Sequence, residues 1–135
     1  MMKTNDYNIE FNREKLFRNA INITRLSLKL QPISTKNREW FDDVLINSID
    51  EIIEVIRPVF ISTEESETTI TFNLSLGENI QPSRLGESIE RTLLFFICKR
   101  WRKNQGVEME SEEVVSSLKH IVLGVGAKFK RKNIK

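Results

Sequence analysis

One cysteine, one histidine, three prolines and five glycines in 135 residues leave this chain short of the residue types that most often carry chemistry. A lone Cys98 excludes an internal disulfide and fits a reducing compartment. A lone His120 excludes a histidine-based metal cluster, and a serine–histidine triad would need partners the sequence does not offer. The glycines are scattered, so there is no phosphate-cradling loop. The first ten residues, MMKTNDYNIE, are polar and give no secretory signal. The longest apolar run, Leu93 to Cys98, covers about 9 Å of helix against a hydrocarbon core of about 30 Å, which excludes a membrane span.

What is present is ordinary for a soluble protein: 39% hydrophobic and 30% charged residues. The length suits one domain that buries most of its apolar surface. The formal charge of +2 is unevenly distributed. The segment Lys128-Phe-Lys-Arg-Lys-Asn-Ile-Lys135 holds five basic residues and no acid. Without it the 21 basic residues fall to 16 against 19 acidic, a net of −3 for the body. Such a body is not built to embrace nucleic acid over its whole surface, whereas the tail suits phosphate or an acidic partner.

The three prolines punctuate the periodic segments. Leu16, Phe17, Ala20, Ile21, Thr24 and Leu28 recur at helical spacing, predicting a helix over 12–30 with Asn12 as N-cap and Glu14 in its first turn. Trp40, Phe41, Val44, Leu45, Ile49, Ile52, Ile53 and Ile56 predict a second, long amphipathic helix capped by Ser34 or Thr35 and stopped at Arg57 by Pro58. Its other side carries Asp42, Asp43, Asp50, Glu51 and Glu54, a solvated acidic face that matches no calcium loop. Then the period changes. Ile70, Phe72, Leu74 and Leu76 alternate with polar residues, and with Val59–Thr63 they predict a β-hairpin over about 59–76. A two-stranded sheet is marginal alone, so this apolar face needs helices or another subunit to cover it. Ser83 suits the N-cap of a third helix that ends near Asn104-Gln-Gly106. Ser111, followed by Glu112 and Glu113, opens a fourth whose stripe runs from Val114 to Phe129.

The expected fold is therefore mainly α: a four-helix domain over 1–127 with an inserted β-hairpin, then a basic tail over 128–135. The third helix is the most informative part. Leu85, Ile89, Leu93, Phe96 and Ile97 fall on one core arc at 100° per residue. Leu94 and Trp101 widen that arc, and Cys98 and Phe95 fall on the far side, where Phe95 joins Arg91 and Arg102. A phenylalanine between two arginines has the composition of a subunit contact. Cys98 reads as a buried structural thiol and His120 as a half-exposed helix residue. The expected site is thus an interface, with Arg91, Phe95, Arg102, Ile70, Phe72 and Leu74 as contact residues. Lys128, Lys130, Arg131 and Lys132 are the tail contacts, and a facing subunit's Asp50/Glu51/Glu54 surface would complement them. No catalytic, cofactor-binding or metal-binding residue is expected, and the protein is read as a non-enzyme.

The stretch Ser83-Arg-Leu-Gly-Glu-Ser-Ile-Glu-Arg-Thr-Leu-Leu-Phe-Phe-Ile-Cys-Lys-Arg-Trp101, the acidic turn Gly106-Val-Glu-Met-Glu110 and the basic Lys128-Phe-Lys-Arg-Lys132 together resemble the small neck proteins of tailed phages, the head–tail connector or adaptor subunits. The resemblance covers roughly residues 83–135 and is a pattern of elements, not a diagnostic motif. It implies a ring-forming homo-oligomer, made in a host bacterial cytoplasm and carried in the virion, that docks on the portal or on neck and tail subunits without a cofactor. The hairpin and tail would be exchanged with neighbours. The competing reading is a small nucleic-acid-binding or regulatory protein using Lys99–Lys103 and the tail. A third is an intracellular adaptor unrelated to phages.

Overall fold

A period-two pattern near the start sets the architecture. Tyr7, Ile9 and Phe11 alternate with Asp6, Asn8 and Glu10, and the computed structural model, which describes residues 4–27, 30–107 and 113–124, places them in strand β1, Thr4–Asn12. Strands β2 (Phe60–Glu65) and β3 (Thr69–Gly77) form the expected hairpin. At its turn the Ser66 hydroxyl accepts from the Thr69 amide at 2.9 Å. β1 then pairs antiparallel with the other side of β3, giving a three-stranded sheet in the order β1-β3-β2.

This corrects the expected four-helix domain with a simple hairpin: the fold is mixed α/β, four helices on a three-stranded antiparallel sheet. The physical reason is that β3 has two hydrogen-bonding edges, and β1 satisfies the one that a hairpin leaves open. The β1–β3 register runs unbroken from Thr4 opposite Gly77 to Asn12 opposite Thr69. The β2–β3 register is interrupted by a bulge between Phe60 and Ser62.

Asn12 ends β1 and, as expected, caps helix α1 (Arg13–Arg25), its side-chain oxygen accepting from the Lys15 amide at 2.9 Å. The helix stops five residues before the expected Leu30. Buried Thr24 explains the return path: its hydroxyl donates to the Ala20 carbonyl at 3.0 Å and accepts from the Ile33 amide at 2.9 Å. Ser34 and Asn37 cap each other's backbone across a 3-10 turn that leads into α2 (Arg38–Ile56), which is followed by Arg57 and Pro58. Helix α3 (Pro82–Asn104) begins with proline at its first position, one residue before the expected cap Ser83. Helix α4 (Glu113–Leu123) ends at Gly124, whose φ of +65° takes the left-handed conformation that stops a helix. Ser111, Val125 and Phe129, expected in that helix, lie outside the described residues.

The helices cover one face of the sheet. Ile70, Phe72 and Leu74 are fully buried, and they share one core cluster with Phe41, Ile52, Leu85, Ile89 and Leu93. Removing each such side chain from water is worth about 1.5–3 kcal/mol. α3 lies close over β1: a β-carbon on Gly86 would stand 3.5 Å from Ile9 Cγ2. The opposite face, with Asn8, Glu10, Thr71, Asn73 and Glu64, carries no helix among the described residues.

Candidate subunit interface

The third helix carries the expected contact residues, and the fold assigns most of its apolar circumference to internal packing. Leu94 and Cys98, which a two-dimensional wheel leaves at the margin or on the far side, are buried. Trp101 is half-buried: its Nε1–H donates to the Gln31 carbonyl at 2.7 Å, and its ring meets Trp40 edge-on at 4.9 Å between centroids. Gln105 completes that joint, accepting from the Gln31 amide and donating to its carbonyl, both at 3.0 Å. One side chain therefore substitutes for a missing strand partner and fixes the segment before α2 against the end of α3.

Of the expected surplus, Phe95 remains. It is half-buried, packs on the core edge with its ring centroid 5.9 Å from that of Phe96, and has exposed Arg91 and half-buried Arg102 one turn before and two turns after it. The Arg102 Nε is buried and makes no hydrogen bond among the described residues. Burial pushes the Cys98 thiol up to about 11, and the Arg102 charge only partly opposes that shift. The thiol is therefore protonated at neutral pH and is no nucleophile there. Among the described residues no group of three or more His, Cys, Asp or Glu is placed to hold a metal ion, and His120 is exposed.

Ile70, Phe72 and Leu74 stand differently from their expected contact role. They lie wholly inside the chain's own core, so no partner reaches them in this form. The tail contacts Lys128, Lys130, Arg131 and Lys132 fall outside the described residues.

The acidic face of α2 also changes its meaning. Glu51 pairs with Arg100, which also donates to Ser48 Oγ at 3.4 Å, and Glu54 pairs with Arg57. Asp42 lies 3.1 Å from Arg38 Nε and 3.8 Å from Arg13, and Arg38 also binds Glu14 and covers the Phe17 ring at 5.0 Å. Hydrogen bonding to Glu14, with Asp42 adding to it, holds the Arg38 guanidinium above its ordinary pKa despite partial burial. Asp50 alone of the expected Asp50/Glu51/Glu54 surface has no ion pair with a described residue. The segment 99–103 is likewise divided. Arg100 turns inward to Glu51 and Trp101 to Trp40, while Lys99 and Lys103 are exposed.

Sequence reasoning passed over the edges of the sheet. Tyr7 belongs to the apolar side of β1 and is still 38% exposed, because nothing described flanks β1 on its outer edge. The alternation Tyr7-x-Ile9-x-Phe11 was the available signal. Among the described residues no helix is long and apolar enough to cross a membrane. No protein-family model, curated protein sequence or solved structure matches the chain.

Proposed function

We propose that this chain is a structural assembly protein: a ring-forming head–tail connector subunit that binds copies of itself and the portal or tail proteins of a virion. The observation that carries the reading is Phe95. It is an aromatic left partly uncovered at the middle of the longest helix, with Arg91 and Arg102 on its outward side. An aromatic with flanking arginines is the kind of group that anchors a protein interface. The pattern resemblance over 83–135 supplies the finer assignment to a phage neck. The alternative use of Lys99–Lys103 on nucleic acid is weakened by the inward turn of Arg100, which removes one cation from that segment.

Native mass spectrometry and electron microscopy of the purified chain, alone and with a portal protein, test the assignment. Rings or docked particles are expected. Phe95→Asp should abolish them while the far-UV and near-UV circular dichroism stay native. A stable monomer that binds DNA with a steep salt dependence rejects the neck reading. Loss of folding in Phe95→Asp assigns that residue to the core instead.

A further inference from the structure

Two surface helices carry opposite charge, each around one partly uncovered apolar side chain. On α3, Arg84, Arg91, Phe95, Lys99 and Arg102 fall within an arc of about 80° at 100° per residue. Arg84, Arg91 and Lys99 are exposed, and Phe95 and Arg102 are half-buried. On α2, Glu39, Asp43, Ile46, Asp50 and Glu54 share an arc of about the same width, and all five are exposed. Ile46, midway along that stripe, is 49% exposed. We propose that the α3 face of one copy of this chain docks on the α2 face of the next. Phe95 then covers Ile46, and Arg91 meets Asp43 or Asp50. The contact is head-to-tail, and it names the partner of the Phe95 site, so it rests on the assembly reading.

The first observation behind it is unmatched charge. Arg84, Arg91 and Arg102 make no ion pair with a described residue, and neither do Glu39, Asp43 and Asp50. Neither arc holds a charge of the opposite sign within its own helix. One chain cannot bring the two stripes together. α2 and α3 turn Leu45, Ile49, Leu93 and Ile97 into their common core, so the exposed stripes face away from it.

The second is spacing. At 1.5 Å per residue Arg91 lies about 6 Å along α3 from Phe95, with Arg102 about 10 Å beyond Phe95 on the other side. Asp43 and Asp50 lie about 4.5 and 6 Å either side of Ile46, and Glu39 and Glu54 about 10 and 12 Å. With Phe95 over Ile46, each cation therefore finds an acid at a matching height whichever way the helices run. An apolar centre inside a ring of complementary charge is the anatomy of a specific protein contact.

The third is what the alternative contact would bring together. A twofold pairing of two Phe95 faces would crowd Arg91 and Arg102 of one copy against the same cations of the other, and like charges at an interface are costly. Unlike faces avoid this. A contact between unlike faces repeats from copy to copy and closes into a ring when its rotation permits.

Complementation between full-length variants tests the proposal. Phe95→Asp disables the α3 face and Ile46→Asp the α2 face. Each should be monomeric by native mass spectrometry at a concentration where the parent forms rings. Mixed, they should give one-to-one heterodimers and nothing larger, because each copy retains one working face and the two altered faces are both acidic. The heterodimer should weaken about tenfold or more at 1 M salt, where the screening length is about 3 Å. Should Phe95→Asp unfold, Arg91→Glu at an exposed position takes its place, with the same heterodimer expected. Rings that survive Ile46→Asp and fail in Phe95→Asp discard this inference and leave the assembly reading standing, as does a mixture that stays monomeric. Heterodimers from a chain that never docks on a portal protein keep the inference and discard the neck. A parent that is monomeric and binds DNA through Arg91 overturns both.

Discussion

The fold places acidic side chains in two contrasting settings. Around α1 and α2, Glu14, Asp42, Glu51 and Glu54 are each matched by an arginine. On the sheet, Asp6, Glu10, Glu64 and Glu65 meet no cation among the described residues. The cause is local chemistry. A helix brings residues three and four apart together, so Arg38–Asp42 and Glu54–Arg57 pair along one element. A strand sends successive residues to opposite faces, and the cross-strand neighbours of these acids are Ser75, Thr71 and Ile70, none of them a cation. A helix rich in aspartate and glutamate thus has much of its charge matched internally, whereas the acids of the less acidic sheet are left without a cation among the described residues.

The most drastic way to erase this contrast is to dismantle the sheet from its buried side. Phe72 sits on the central strand opposite both Ile9 and Thr63, with its ring edge-on to Phe11 at 5.9 Å between centroids. Phe72→Ala should lower unfolding stability by about 3–5 kcal/mol, a large part of what a domain of this size possesses. Urea titration followed by Trp40 and Trp101 fluorescence measures it. An unchanged midpoint would mean that the sheet is not part of the cooperative core.

Several features of this arrangement were legible in the sequence, and the reasons differ by element. The heptad-like spacing from Trp40 to Ile56 and the alternation from Ile70 to Leu76 each repeat often enough to name their element. Asn12 signalled its cap by residue type alone. β1 was missed because Asn5, Asp6, Asn8 and Glu10 make its composition polar, so its three apolar residues stand out only by spacing. With β1 unseen, the hairpin had no second neighbour and the fold class came out as mainly α. The third helix failed in another way. A wheel ranks residues by angle around one axis, whereas Leu94, Cys98 and Trp101 are covered by neighbours that lie on more than one side of α3. The roles of Arg100 and Gln105 depend on partners 49 to 74 residues distant, Glu51, Ser48 and Gln31, and no local pattern carries that information.

A smaller perturbation sharpens the helical half of the contrast. Arg38 joins Glu14 to Asp42 and stacks on Phe17, so Arg38→Gln removes two ion pairs and a cation–π contact together. The side chains are 37% to 49% exposed, so solvent screens much of the attraction. The expected loss is about 1 kcal/mol, at the upper end for surface pairs because the charges form a network. It should shrink as salt is raised, and urea midpoints at low and high ionic strength read it directly. A loss that ignores salt would assign the effect to packing on Phe17.

The smallest effect is expected on the sheet. Asp6 and Glu10 are exposed and meet no cation among the described residues. Asp6→Asn with Glu10→Gln should therefore leave stability within about 0.5 kcal/mol of the parent. Urea midpoints at low ionic strength and at 1 M salt, where the screening length falls to about 3 Å, check it. Both midpoints should match those of the parent under the same conditions. A loss at low salt that vanishes at 1 M would show instead that these acids have a cationic partner, since effects on strand propensity do not respond to salt in that way.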